Sequence, residues 1–112
     1  MESTEKRPVV VVCENPLVEN YLRFILERNG YHVILSDPKG ALDVLKSEKR
    51  VDLVITNSPA DFVPFVGKVP FLYLSSTPDP TLAAQFTKLR VLEKPFRAEE
   101  LLRSVKELTG TV

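Results

Sequence analysis

The sequence predicts an α/β fold, a parallel sheet with helices on both faces. Three observations carry this. Residues 9–12 read VVVV, a continuous β-branched run of the kind that forms a strand buried on both faces. Strand-like and helix-like segments then alternate along the chain. The apolar runs also end in polar residues: Cys13, Glu14, Asn57, Ser75, Ser76 and Lys94 fall at the ends of four separate strands. In such sheets, sites form at the carboxyl ends of the strands, so the fold would gather these residues in one place.

Each element has a local reason. After the first strand, Asn15 offers a helix cap and Pro16 a first-turn proline. Leu17, Val18, Tyr21, Leu22, Ile25 and Leu26 recur at helical spacing, and Gly30 stops the helix. Residues 31–35 form a second strand. Ser36, Asp37 and Pro38 make a turn and cap, and Ala41, Leu42, Val44 and Leu45 mark a shorter helix to about residue 49. Residues 51–55 and 71–74 are the third and fourth strands. Asp79 caps an expected helix over 80–89, and 91–93 is a short fifth strand. The last helix covers 98–108, with Leu101, Leu102, Val105 and Leu108 inward and Gly110 as its stop.

Composition bounds the function. The 112 residues suit one domain, 1–112, of which 44% are hydrophobic and 27% charged. Fifteen Lys and Arg balance 15 Asp and Glu, which argues against a nucleic-acid partner needing a basic face. Cys13 is the single cysteine, so no internal disulfide forms, as suits a reducing, cytoplasmic location. The start MESTEKRP is too polar for a signal peptide. No apolar run approaches the roughly 18 residues that span a bilayer, so no membrane partner is expected.

The stretch VDLVITNSP then raises the question of what Asn57 does at a strand tip. VVCENPLVENYLRFILERNGYHV resembles the opening strand and helix of the response-regulator receiver domain, usually VVDDEP followed by a leucine-rich helix and NGY. VDLVITNSP resembles that family's phosphoacceptor strand, usually PDLVLLD. PFLYLSS resembles its fourth strand, which ends in Thr or Ser, and LEKPF its Lys-Pro-Phe. The resemblance covers nearly the whole chain. It implies a flavodoxin-like doubly wound sheet of five strands in the order 2-1-3-4-5. It also implies a bacterial two-component or phosphorelay signalling module whose partner is a protein: a kinase, an output domain or a second copy.

In the family, two acids on strand one and an Asp on strand three hold Mg²⁺, and that Asp attacks a phosphoryl donor. Carried over, the acid pair falls on Cys13 and Glu14, the acceptor on Asn57, the hydroxyl on Ser75 and the lysine on Lys94. Asn57 can hydrogen-bond, but its amide is no nucleophile and cannot become an acyl phosphate. Thiol is a poor partner for Mg²⁺, which leaves Glu14 as the only residual candidate ligand. The resemblance is therefore to a degenerate receiver without the phosphoacceptor Asp, not an enzyme, with no cofactor and no metal. Lys94 is expected to pair with Glu14 or the Asn57 oxygen, holding the pocket in one state.

Two further departures have consequences. Val91 stands where the family's switch places an aromatic. The link SPADFVPFVGKVP contains three prolines and a glycine where the family has a full helix, so the third helix is expected to be missing or reduced to a turn. Phe62, Val63, Phe65 and Val66 would then cover the sheet or lie exposed; Phe62 and Phe65 are candidate interaction residues. The family's usual contact face adds Arg90, Val91 and Arg97.

Two other readings stand beside this one. The pocket senses an anion or small molecule through Lys94, Ser75 and Asn57, or Cys13 or Ser75 serves as the nucleophile of a small enzyme. No base is placed to activate either nucleophile, since His32 falls at the far end of its strand. The ending ELTGTV falls where a linker to an output domain would begin, as in a module of a longer chain.

Overall fold

A computed structural model of the chain describes residues 7–47 and 49–110. Most of the polar N-terminal stretch, residue 48 in the stretch after the second helix, and the last two residues of ELTGTV lie outside the described residues. The elements run β1 (Val9–Cys13), α1 (Pro16–Arg28), β2 (His32–Leu35), α2 (Pro38–Lys46), β3 (Leu53–Thr56), a 3-10 helix (Pro59–Phe65), β4 (Phe71–Ser75), α3 (Pro80–Ala83), β5 (Leu89–Glu93) and α4 (Ala98–Thr109). The strands form one parallel sheet in the order β2-β1-β3-β4-β5, as the resemblance implied.

Successive residues of each strand face opposite sides, and this divides the core in two. Val10 and Val12 of β1, with Leu53 and Ile55 of β3, pack under α1 and α4 through Leu22, Leu26, Leu101 and Val105. Val11 and Cys13, with Val54 and Phe71, face α2 and the 3-10 helix through Ala41 and Phe62. Because the central strands are covered on both faces, β1 and β3 are apolar without a gap as far as Cys13 and Ile55.

The caps are built as their residue types require. Asn15 Oδ1 accepts from the Val18 amide at 3.1 Å, and Asp37 Oδ1 from the Gly40 amide at 2.7 Å. Gly110 closes α4 at φ 74°, a left-handed conformation that favours glycine.

The two crossovers flanking β4 differ from regular helices, one as expected and one not. Between β3 and β4 the chain makes only a 3-10 helix, because Pro59 opens it and Pro64 lacks the N–H that an α-helix would use. The helix expected over 80–89 is a correction: α3 ends at Ala83. Strand pairing of Leu89 with Phe71 takes the end of that segment. Phe86 turns into the core, its ring centroid 5.0 Å from that of Phe71. Too few residues remain for more than a turn of helix.

The core also corrects the candidate surface. Phe62 is fully buried, its ring 5.6 Å from Phe71, and so cannot meet a partner. Phe65 is half-buried against the same cluster. Conversely, Leu17 and Tyr21, part of the apolar pattern of α1, are 84% and 44% exposed. The buried face of α1 is Leu22, Ile25 and Leu26 instead.

No helix among the described residues is long and apolar enough to cross a membrane.

Candidate functional site

The parallel register sets the site. Cys13 pairs with Thr56, so Glu14 and Asn57 are the next residues out at the carboxyl ends of β1 and β3. Ser75 pairs with Glu93, and the Lys94 amide donates to the Ser75 carbonyl at 3.0 Å. The Lys94–Pro95 peptide bond is cis.

One contact joins two of these positions. Lys94 Nζ lies 2.9 Å from Glu14 Oε2, and the Glu14 side chain is wholly buried while that of Lys94 is 27% exposed. No donor is aligned for a hydrogen bond to Oε2, so the contact is Coulombic. Oε1 accepts from the Asn15 amide at 3.0 Å, and the Glu14 amide donates to Glu19 Oε2 at 3.3 Å. The turn after β1 thus holds Glu14 from its backbone and from its carboxylate.

The remaining positions are not drawn into this pair. Asn57 is exposed, and its side chain makes no hydrogen bond among the described residues. Ser75 Oγ accepts from the Thr77 amide at 3.0 Å, which commits it to the turn after β4. Cys13 is buried, and burial pushes its thiol pKa up; a hydrogen bond with Thr56 opposes this, while the carboxylates of Glu19, Asp61 and Asp37 reinforce it. A nearby lysine therefore does not make this thiol a ready nucleophile.

An open cleft between the ends of β1, β2 and β3 is lined by Cys13, Glu14, Asn15, Glu19, Asp37 and Asn57, among others. It holds three carboxylates and no cationic side chain. Glu19 and Asp37 were absent from the sequence-based candidates, because each reads equally well as a helix-start residue. The donor set does not suit Mg²⁺. Cys13 offers a neutral thiol, Glu14 is spent on Lys94, and Asn57 is an amide. Among the described residues, no group of three or more His, Cys, Asp or Glu is placed to hold a metal ion.

The candidate contact face is partly engaged. Arg90 Nη1 lies 3.0 Å from Glu107 Oε1 across to α4. Arg97 is exposed at the start of α4, and its amide donates to Glu100 Oε1 at 2.8 Å. Val91 is 40% exposed and lies in register with Tyr73, whose hydroxyl accepts from the Asp79 amide at 3.2 Å. His32 is exposed at the amino end of β2, far from these strand ends.

A second exposed apolar surface lies outside the expected contact face. Leu17, Tyr21 and Phe24 lie along one side of α1, with Phe24 61% exposed and the Arg28 guanidinium 5.0 Å from its ring centroid. The signal was present as an excess: α1 carries two apolar stripes, and one helix face against the sheet buries only one.

The architecture is that of the receiver domain. No protein-family model and no curated protein matches the sequence; the likeness is to solved structures. The response regulator receiver protein from Burkholderia phymatum shares 24% identity at a TM-score of 0.81, over 95% of this chain and 98% of that one. The signal receiver domain of an HD domain-containing protein from Pseudomonas fluorescens shares 20% at 0.78, over 98% and 92%. The response regulator receiver protein from Sinorhizobium medicae shares 20% at 0.78, over 96% and 98%. At such identities the likeness establishes the fold, and function must be argued from the site.

Proposed function

We propose that the chain is a receiver-like signalling domain of a two-component or phosphorelay pathway that acts without Asp phosphorylation, as a protein–protein interaction module. The observation that carries this is chemical: the strand tip that would bear the acceptor bears Asn57, an amide with no anionic oxygen to attack a phosphoryl donor. Its surroundings support the reading. Lys94, the cation that would neutralise a phosphoryl group, already neutralises buried Glu14. The cleft beside Asn57 is electronegative and ill-suited to a second anion. That weighs against an anion sensor at these residues. The raised thiol pKa of Cys13, whose side-chain hydrogen bond is to the Thr56 hydroxyl rather than to a base, weighs against an enzyme.

What remains to offer a partner is surface. The Leu17, Tyr21 and Phe24 side of α1 is apolar, adjacent and exposed, as docking faces are. The test is an amide NMR titration of the labelled chain with Mg²⁺, then with beryllofluoride. The reading expects no saturable shift at Asn57, Ser75 or Lys94. Shifts there that spread toward β5 would overturn it.

A further inference from the structure

We infer that the cleft at the amino ends of β3 and β4 docks an acidic protein segment that inserts one large apolar side chain between glutamates or aspartates. The cleft lies at the opposite end of the sheet from Glu14 and Lys94, so the inference stands apart from the reading of that pocket.

Its floor is apolar: Leu45 from α2, Val51 before β3, and Val69 before β4. Phe65, half-buried, forms one wall. Three lysines rim it. Lys46 ends α2, Lys49 follows it, and Lys68 stands across the cleft with Nζ 5.9 Å from the Phe65 ring centroid.

None of the three forms an ion pair among the described residues. Asp52, the carboxylate at the start of β3, is already held by Arg50 Nε at 3.0 Å and by the Val9 amide at 2.7 Å. The chain has no net charge, yet the carboxylates of Glu14, Glu19 and Asp37 gather at the far end of the sheet. Among the described residues, the cleft is therefore a place where positive charge without an ion-pair partner surrounds apolar surface. Carboxylates on a partner meet that charge, and an apolar side chain between them meets the floor.

Phosphate ligands fit less well. A phosphate has no apolar part to set against the floor of Leu45, Val51 and Val69 and would leave it uncovered.

The test titrates the labelled chain at low salt with a capped Glu-Glu-Phe-Glu-Glu peptide. The expected result is saturable amide shifts at Lys46, Phe65, Lys68 and Val69. Binding should weaken about tenfold or more in Lys46→Glu/Lys68→Glu, and similarly when the peptide's phenylalanine becomes alanine. All three lysines are exposed, so the charge reversals leave the fold intact, and Lys49→Glu repeats the test independently. The inference is overturned if no shifts appear at millimolar peptide, or if they fall elsewhere. It is equally overturned if the alanine peptide or inorganic pyrophosphate binds as well, which would make the cleft a plain anion site.

Discussion

Lys94 Nζ lies 2.9 Å from the Oε2 of Glu14, whose side chain is wholly buried. The pair joins the carboxyl ends of β1 and β5, strands separated by two others in the sheet. Removing either partner should not cost the same. Lys94→Met strands a buried carboxylate and is expected to destabilise by about 2–3 kcal/mol. Glu14→Gln leaves a lysine that is 27% exposed and can reach water, so about 1 kcal/mol or less is expected. Urea denaturation of the two variants and the double variant measures this. Equal losses that simply add would mean the pair holds nothing together.

Asn57→Asp restores the acceptor atom but not its surroundings. Cys13 still presents a neutral thiol, and Glu14 is still committed to Lys94. The variant is expected to show no saturable response to Mg²⁺ or beryllofluoride. Cys13→Asp/Glu14→Asp/Asn57→Asp, which supplies three carboxylates, is expected to gain one at some loss of stability, since position 13 is buried. A full response from Asn57→Asp alone would show that position 57 is the single barrier.

Burial raises the Cys13 pKa, and the sign of its effect on stability follows. The folded protein favours the neutral thiol relative to the unfolded chain, whose thiol titrates near about 8.5. The stabilisation is complete below that pH and is lost as pH rises through the higher folded value. The unfolding free energy of the wild type should therefore fall more steeply between neutral and alkaline pH than that of Cys13→Ala. Native Cys13 should also react with a thiol reagent at neutral pH at least about 100-fold more slowly than in urea. Rapid native labelling would reopen the reading of Cys13 as a nucleophile.

The sheet was legible because its determinants are local. VVVV at 9–12 can hardly be other than a buried strand, and Asn15-Pro16 and Asp37-Pro38 announce helix starts that the structure caps as expected. The shortened third crossover was legible through Pro59 and Pro64. The length of α3 was not: Leu82, Phe86 and Leu89 keep helical spacing, and only pairing with a distant strand assigns Leu89 to β5. At the site, strand-end positions follow from the order of elements, so Glu14, Asn57, Ser75 and Lys94 could be named in advance. Which of them touch could not be, because Lys94 had two acceptors in reach and the choice of Glu14 is tertiary. The basic cleft was invisible for the same reason: Lys46, Lys49 and Lys68 come from two separate connections.

Phe62 and Phe24 contrast in burial. Phe62 sits in a link rich in proline and reads either as cover for the sheet or as exposed partner surface; it is fully buried against Phe71. Phe24 falls outside the apolar positions named for the first helix, and it is 61% exposed. Phe62→Ala should destabilise by about 3–5 kcal/mol, since it empties a closed position between the 3-10 helix and the sheet. Phe24→Ala should change stability by less than about 1 kcal/mol, because water already reaches the ring and only its packing under Arg28 is lost. Partner or self-association measured by sedimentation should respond in the opposite order, with Phe24→Ala, or Leu17→Glu beside it, weakening assembly of a chain that remains folded. A large stability loss in Phe24→Ala would mean that this side of α1 serves the fold rather than a partner.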